Sequence, residues 1–351
     1  MNRPPPAAPR RRVSVLRALG WLVVALAVHA CTAPAPRPPA AEPAPRADSG
    51  TLLARNDEFV IVVAGPGDSL ATLAQQHLGD SRKAWRIAEY NGIAETRPGQ
   101  SVVIPLVSRN PIGVHVDGYQ TVPVLCYHRF GNRASKLTVT PAAFAAQMAY
   151  LAQNGYHVLP LARLAEFLAG KEPLPKKTVV ITIDDGYRAT YDIAFPILKT
   201  HGFPATVFLY SDFVGAGDAL SYAQMKELIA SGLIDIQPHS KTHSNLTLRL
   251  PDETDAKYRD RLRSEVDAPI NVLQERFAHS SVAYAYPYGD VNEIVVDLLA
   301  RKGVTLGMTV TPGGNGFFAY PYMLRRSMIF GDESLDAFKA KLVTFVRTPA
   351  K

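Results

Sequence analysis

The stretch VVITIDDGYRA, residues 179–189, joins a run rich in β-branched residues to two adjacent aspartates and a glycine. A short apolar run that ends at a turn signal predicts a buried strand over residues 179–183. Asp184 and Asp185 then follow the carboxyl end of that strand. In parallel α/β folds the reactive residues collect at this end of the strands. The stretch therefore predicts both a sheet and the edge where its chemistry lies.

Outward from this strand, apolar strands and amphipathic helices alternate from Val122 onward. Repeated βα units predict a parallel sheet with crossover helices, either open or closed into a barrel. The predicted strands are residues 122–127, 179–183, 205–209, 234–237, 282–286 and 304–308. The predicted helices are residues 141–153, 161–168, 191–200, 223–230, 258–276, 292–301 and 335–346.

Polar residues follow four of the predicted strands. Because parallel strands end at one edge, we expect these side chains to share one rim. The residues are His128, Asp184, Asp185, His239, His243 and Tyr288.

His239 and His243 lie four positions apart in the segment HSKTH. If this segment enters a helical turn, both imidazoles lie on one face. Two imidazoles and one carboxylate match the protein ligands of a catalytic zinc ion. Without a metal, the same residues are a solvated histidine pair and an ordinary turn after a strand.

Adjacent residues on an extended strand point in opposite directions, so Asp184 and Asp185 can have separate roles. One carboxylate can bind a cation, which favours both ionised forms. The cation lowers the pKa of a bound water, and the other carboxylate can take its proton.

Three segments, TIDDG (182–186), HSKTH (239–243) and YPYG (286–289), resemble the polysaccharide deacetylase family. This is the NodB-homology or carbohydrate esterase 4 family, and the resemblance covers about residues 121–349. VPVLCYHRF (122–130) and TVFLY (206–210) contribute to the resemblance. The motif sequences are most similar to those of the branch that acts on poly-β-1,6-N-acetylglucosamine. The resemblance implies an α/β fold, a distorted parallel (β/α) barrel that removes N-acetyl groups.

The resemblance also implies roles for individual residues. It makes Asp184 the general base, and Asp185, His239 and His243 the metal ligands. Tyr288 matches the tyrosine whose backbone N–H helps to hold the oxyanion. The implied cofactor is a divalent metal, zinc in the first place, although the same ligands accept cobalt, nickel or iron.

The chain departs from the family pattern in three places. Ala285 stands where many members have an arginine, GMTVTPGGN (307–315) replaces an Asp-x-x-Asp-Trp motif, and RRSMIFGD (325–332) replaces a late Leu-x-x-His motif. The family's general acid is therefore missing, since no histidine follows His279. His128 is our candidate for the acid, with Arg325 or Arg326 as alternatives in the cleft.

Residues 58–106 predict a separate small domain with the order strand, helix, helix, strand. GDSLATLAQQHLGD (67–80), AEYNGI (88–93) and PGQSVVIP (98–105) closely resemble a LysM domain. The resemblance implies binding of N-acetylglucosamine-containing glycans, such as peptidoglycan, in a groove between two loops. The alternative is a structural domain without a ligand.

The N-terminus predicts export. An arginine cluster precedes the short apolar run LGWLVVALAVHA (19–30) and then Cys31, as in a signal peptide of the lipoprotein type over residues 1–30. A plain signal cut and an uncleaved anchor are the alternatives. A Pro/Ala-rich tether (31–57) and a linker (107–120) separate the predicted domains, and residues 121–351 form the deacetylase domain. Cys126, inside an apolar run, predicts a buried thiol without a partner.

These features predict a metal-dependent N-deacetylase of an envelope glycan, either peptidoglycan or poly-N-acetylglucosamine. A lipid on Cys31 would attach it to a membrane in the cell envelope, in the periplasm or at the outer membrane. The net charge of +7 forms no basic stripe with interleaved aromatics, so a nucleic-acid partner is not predicted. The alternatives are a non-catalytic LysM glycan-binding lipoprotein whose deacetylase domain is degenerate, and a carbohydrate O-deacetylase.

Overall fold

A computed structural model describes residues 50–348 of the chain. The predicted signal peptide, Cys31 and most of the predicted tether lie outside these residues. Within them, no helix combines the length and the apolar character that a membrane span requires.

The N-terminal module is a three-stranded antiparallel sheet covered by two helices. Its elements are β1 (Thr51–Arg55), β2 (Phe59–Val63), α1 (Leu70–Leu78), a 3₁₀ turn (Ser81–Lys83), α2 (Ala84–Asn91) and β3 (Ser101–Pro105), and β2 is the central strand. Alternate residues of β2, Val60 and Val62, pack against Leu73 and Ile87 of the helices. The predicted strand–helix–helix–strand order is present from β2 to β3. We assigned residues 51–55 to the tether. In the structure they form β1, which pairs with β2.

The remaining elements follow in chain order. They are β4 (Val114–His115), β5 (Gly118–Gln120), β6 (Val122–Tyr127), β7 (Arg129–Phe130), β8 (Thr138–Val139), α3 (Pro141–Gln153), β9 (His157–Val158), α4 (Leu161–Leu168), β10 (Thr178–Ile183), α5 (Phe195–His201), β11 (Ala205–Leu209), α6 (Tyr222–Ala230), β12 (Ile234–Pro238), α7 (Asp255–Phe277), β13 (Ala283–Ala285), α8 (Glu293–Arg301), β14 (Leu306–Met308), β15 (Gly314–Asn315), β16 (Ser327–Met328), α9 (Leu335–Ala340) and β17 (Phe345–Arg347). A π-helical turn (Thr190–Ala194) precedes α5, and 3₁₀ turns cover Ser211–Phe213, Pro287–Gly289 and Pro321–Met323.

The large domain is a distorted parallel barrel. β12, β11, β10, β6 and β16 lie side by side in parallel, and β13 pairs with β14 in parallel. Two contacts connect the β13–β14 pair to the other strands of the barrel. The Gln237 Oε1 accepts hydrogen bonds from the backbone N–H of Val282 and of Ala283, at 2.9 and 3.0 Å, and Met308 forms a parallel bridge with Leu324. The ring is thus closed by a side chain at one gap and a single bridge at the other.

The central strand β10 is buried on both faces, which explains its apolar sequence. Ile181 and Ile183 pack with Phe144 of α3 and Leu198 of α5 in one cluster. Residues that point to the opposite face of the strand, such as Val180, belong to a second cluster with Phe208, Met308 and Leu324. Alternate residues of a strand point to the same face, so Asp184 points to the same face as Val180, toward the second cluster.

One predicted element is wrong in its second half. We expected a helix over residues 335–346, but α9 ends at Ala340. Phe345 and Val346 instead pair with Gln120 and Tyr119 of β5, in a small sheet of order β17-β5-β4. An aromatic next to a β-branched residue fits this pairing better than a helix.

Candidate active site

Asp184 and Asp185 leave β10 in different conformations. The Asp184 N–H still donates to the Tyr127 carbonyl at 2.8 Å, which continues the ladder between β10 and β6. Asp185 has a left-handed φ of 74°, and Gly186 follows with a φ of 79°. Our expectation that both aspartates lie on an extended strand is wrong for Asp185. The turn still separates the two carboxylates, and a left-handed non-glycine residue is a strain typical of functional sites.

The structure brings Asp185, His239 and His243 together. The Asp185 Oδ1 lies 3.3 Å from the Nε2 of His243 and 3.7 Å from the Nε2 of His239. The expected helical turn over HSKTH is absent, because Ser240 and His243 have φ values of 77° and 61°. The Ser240 Oγ instead accepts a hydrogen bond from the His243 N–H at 2.9 Å, and this tight turn directs both rings to one point.

These three donors fit a divalent cation. The Asp185 Oδ1 is buried and has no hydrogen-bond partner among residues 50–348. The His239 Nδ1 donates to the Ala285 carbonyl at 2.7 Å, so the lone pair of its Nε2 faces Asp185. Tetrahedral ligands at about 2.0–2.1 Å from zinc lie roughly 3.4 Å apart, close to the spacing seen here.

Charge also favours a metal-ligand role for His239 and Asp185. Burial lowers the pKa of His239, which keeps its imidazole neutral. For Asp185, burial raises the pKa, but the neighbouring His243 and His239 outweigh it and the pKa is lowered. A neutral imidazole and an ionised carboxylate are the forms that bind a metal ion. For His243, burial lowers the pKa but Asp185 raises it by more.

Asp184 makes a bidentate ion pair with Arg326. The guanidinium Nη1 and Nη2 lie 2.6 and 2.8 Å from the two carboxylate oxygens, and both residues are buried. Burial alone would raise the pKa of Asp184, but the Arg326 charge overcomes this and the pKa lies well below its ordinary value. Arg326 is itself fixed by its Nε, which donates to the Thr309 carbonyl at 2.8 Å.

Arg326 is the site residue whose role the sequence analysis missed. We named it only as an alternative acid, together with Arg325, which lies exposed nearby. A buried carboxylate requires a cation, and Ala285 cannot supply one. The structure buries Leu324 and Arg326 and exposes Arg325 between them, an alternation that the sequence of this segment does not reveal.

His128 lies at the same rim as Asp184. One ring nitrogen of His128, the Cys126 Sγ and an Asp184 oxygen lie within 4.8 Å of one another. The Cys126 thiol is buried as predicted and donates to the Asp184 Oδ2 at 3.4 Å. Burial raises the pKa of this thiol well above its usual value, which keeps the proton in place.

Tyr288 also reaches the predicted site. It has a left-handed φ of 63° within the 3₁₀ turn, and its side chain is 61% exposed. Its ring centroid lies 5.0 Å from that of His243, in an edge-on arrangement. The structure therefore gathers all six predicted site residues, and Arg326, at one edge of the barrel.

Known proteins resemble the large domain in sequence and in structure. The family model described as polysaccharide deacetylase matches residues 171–307. A Bacillus subtilis protein, YxkH, named as a polysaccharide deacetylase, is 30% identical over 219 residues, which cover 62% of this chain and 75% of the relative. The solved structure of IcaB from Ammonifex degensii superimposes with a TM-score of 0.57 at 27% identity, over 64% of this chain and 98% of that one.

The poly-β-1,6-N-acetyl-D-glucosamine N-deacetylase of Escherichia coli K12 is 26% identical over 245 residues. This match covers 59% of the present chain but only 36% of the relative, so the chain spans about a third of that protein. The homologues are thus polysaccharide N-deacetylases, and the structural match shows that the barrel is common to the solved relative. The chain belongs to the polysaccharide deacetylase family.

Proposed function

We propose that the protein is a metal-dependent N-deacetylase of an N-acetylglucosamine-containing envelope polysaccharide. The observation that carries the proposal is the contrast between the two aspartates. The Asp185 Oδ1 is buried beside two imidazoles and has no hydrogen bond within the described part of the chain, whereas Asp184 is fixed by Arg326 next to it. One carboxylate is suited to a cation, and the other to a proton transfer beside that cation.

Asp185, His239 and His243 would hold a divalent metal, which would supply a Lewis acid for the acetyl carbonyl and for the attacking water. Zinc is the metal that the His₂Asp ligand set favours, and deacetylases of this family are metal-dependent. Both imidazoles are already oriented for metal binding, because a hydrogen bond to the Ala285 carbonyl fixes His239 and the turn at Ser240 fixes His243.

Asp184 is the proposed general base. Arg326 holds both of its oxygens, which orients the carboxylate and keeps it ionised. Asp184 takes a proton from water as the water oxygen adds to the amide carbonyl carbon. The backbone N–H of Tyr288 is the proposed donor to the oxyanion that forms.

His128 is the proposed general acid. The carbon–nitrogen bond then breaks, His128 gives a proton to the leaving amine, and acetate remains. The position of His128 near Asp184 supports this role, since both must face the same amide. Arg326 is unsuitable as an acid, because its buried pair with Asp184 raises its pKa further above its usual value, although burial alone would lower it.

The N-terminal module is proposed to be a LysM domain that binds the same glycan and raises its local concentration. The element order from β2 to β3 supports the assignment. Export, and a lipid on Cys31, would place the enzyme at the cell envelope. The relatives named as poly-β-1,6-N-acetyl-D-glucosamine N-deacetylases favour that polymer as substrate, whereas the module favours peptidoglycan.

Acetate release tests the proposal. The full chain is incubated with peptidoglycan and with poly-N-acetylglucosamine, before and after metal removal by a chelator and readdition of zinc. Asp184→Asn is expected to lose release yet keep its metal, and His239→Ala to lose both. Asp297→Asn, an exposed aspartate on α8, is the matched control.

Metal content is measured on the same samples. Release from the wild type that is no greater than from Asp184→Asn would overturn the enzyme assignment and favour a degenerate, glycan-binding domain. Release that requires an O-acetylated glycan would replace it with an O-deacetylase.

A further inference from the structure

The long helix α7 carries a buried carboxylate that the proposed chemistry does not use. Leu262 and Val266 of this helix pack in one apolar cluster with Tyr284 of β13 and Val295 of α8. Glu265 lies on the same buried side of the helix and is only 4% exposed. A charged side chain in such a position is costly unless hydrogen bonds satisfy it. Its partners therefore indicate what the glutamate does.

The Glu265 carboxylate binds the segment between the two proposed imidazole ligands. Its Oε2 accepts hydrogen bonds from the backbone N–H groups of Lys241 and Thr242, both at 2.9 Å. Its Oε1 accepts a hydrogen bond from the Thr242 hydroxyl at 2.7 Å. These two residues lie between His239 and His243 in the chain. One carboxylate thus holds the loop that carries both imidazoles.

The local backbone directs the two N–H groups to one oxygen. Ser240 has a left-handed φ of 77°, and His243 has a left-handed φ of 61°. Successive N–H groups in a turn of this kind form a concave site for an anion, and the Glu265 Oε2 occupies it. Left-handed non-glycine residues are strained and persist only where surrounding contacts hold them. Glu265 supplies such a contact inside the loop.

Glu265 is itself fixed in place on the helix. Pro269 lies four residues later and has no N–H, so it cannot donate to the Glu265 carbonyl as a helix residue normally does. The Tyr284 hydroxyl donates to that carbonyl at 3.3 Å instead. Glu265 therefore connects α7 and β13 to the loop.

The carbonyl groups of the same loop bind the residues that follow β11. The Ser211 N–H donates to the Ser240 carbonyl at 3.1 Å, and the Asp212 N–H donates to the Lys241 carbonyl at 3.0 Å. These hydrogen bonds continue the pairing of β11 with β12 beyond the ends of both strands. The loop is thus held through its carbonyls by one neighbour and through its N–H groups by Glu265.

We propose that Glu265 is a positioning residue of the metal site. Its carboxylate holds the strained loop 240–242, and the loop in turn keeps the Nε2 atoms of His239 and His243 directed at Asp185. Glu265 acts through the loop and not on the cation itself. The inference rests on the metal site of the proposed function, and it predicts that Glu265 determines the affinity of that site for metal.

The zinc affinity of the full chain tests this role, measured by competition with a chromophoric chelator. Glu265→Gln keeps the size of the side chain but replaces one acceptor oxygen with an NH₂ group, which cannot accept from the loop. The zinc Kd should rise about 10–100-fold, as for other groups that orient metal ligands. Thr242→Val removes only the hydroxyl hydrogen bond, and its zinc Kd should rise about fivefold. Thr242→Ser keeps the hydroxyl and should bind zinc as the wild type does.

Glu253→Gln is the matched control. The Glu253 carboxylate is also held by several hydrogen bonds, from the Arg261 guanidinium at 2.7 and 2.9 Å and from the Leu250 N–H at 3.1 Å. Its loss should lower the free energy of unfolding in chelator but leave the zinc Kd unchanged. The control therefore separates positioning of the metal loop from a general loss of stability.

The outcomes are distinct. A Glu265→Gln chain that is folded in chelator and has the wild-type zinc Kd overturns the proposal, and so does an equal rise in Kd for Glu253→Gln. If Glu265→Gln does not fold, Thr242→Val decides, since a wild-type Kd in that variant overturns the proposal as well.

Acetate release from the same samples separates this inference from the proposed function. If the wild type binds zinc and releases no acetate, but the variants bind zinc more weakly, the proposed function fails and the role of Glu265 stands. If the wild type releases acetate but zinc affinity is equal in all variants, the role of Glu265 fails alone. A wild type that binds no zinc overturns both.

Discussion

Asp184 and Asp185 are neighbours in sequence, yet their buried charges are balanced in opposite ways. Asp184 has both oxygens paired with a guanidinium of the same chain. Asp185 has one buried oxygen with no hydrogen bond among the described residues, and two imidazoles beside it. The fold neutralises the first charge by itself. We propose that a bound cation balances the second.

This difference shows how a shared edge of a barrel can carry two unlike carboxylates. Removing a charge from water costs several kcal/mol unless a partner is supplied. A permanent partner fixes a carboxylate in place, whereas an absent one creates affinity for a metal ion. Substitutions that exchange or remove the partners should therefore affect the two aspartates differently.

The largest effect is expected for Arg326→Met. It leaves the buried Asp184 carboxylate without its partner, so the free energy of unfolding should fall by about 3–5 kcal/mol. Acetate release should fall as well, because the carboxylate loses its orientation. Chemical denaturation at neutral pH, together with the acetate assay, measures both.

The double variant Asp184→Asn/Arg326→Met is the matched control for stability. It removes both charges, so most of the lost stability should return while acetate release stays absent. A double variant as unstable as Arg326→Met would show that the pair is not the cause.

A smaller effect is expected for Asp185→Asn, and it should depend on metal. In chelator, the free energy of unfolding should change by less than about 1 kcal/mol, since the buried Asp185 Oδ1 has no hydrogen-bond partner within residues 50–348 for the substitution to remove. With zinc at 100 times its Kd, the wild type should gain about 2.7 kcal/mol, and the variant should gain none. Asp184→Asn should respond in the opposite way, with a loss in chelator and a retained gain from zinc. Equal behaviour of the two variants would contradict the comparison.

Much of this site follows from the sequence, because strand ends determine where side chains meet. β6 and β11 have the predicted bounds, and the residues after the predicted strands lie at one edge. The conformations of Asp185 and His243 were not predicted, because Asp and His adopt positive φ only occasionally and the surrounding contacts decide which residue does so. The HSKTH segment shows that convergence does not require a helix.

The role of Arg326 depends on long-range contacts. Arg326 lies 142 positions from Asp184, directly before the two-residue strand β16. A strand of two residues is too short to show a periodic pattern in the sequence. β17 is similar, since its pairing with β5 overrides the apolar pattern that we interpreted as helix. Short strands held by tertiary pairing are where sequence patterns fail.

The smallest effect concerns β12, which has a histidine–carboxylate contact at each end. At its C-terminal end, His239 and Asp185 are 3.7 Å apart, too far for a hydrogen bond. Near its N-terminal end, the His279 Nε2 lies 2.9 Å from the Asp235 Oδ1, close enough to share a proton. The Asp235 hydrogen bond raises the pKa of His279 above its usual value. The second pair is thus a histidine–carboxylate contact that a shared proton balances.

A pKa raised on folding means that protonated His279 stabilises the native state. This stabilisation is fully present below the unfolded pKa of about 6.5, and it is lost as pH rises through the higher folded pKa. We expect wild type to exceed His279→Gln in unfolding free energy at pH 5.5, by less than about 1 kcal/mol because the pair is partly exposed. The advantage should shrink by pH 8.5. Asp235→Asn should remove the same pH dependence, since it deletes the group that raises the pKa. Denaturation curves measured across this pH range test the prediction. A stability difference between wild type and His279→Gln that grows with pH would show that protonated His279 does not stabilise the native state.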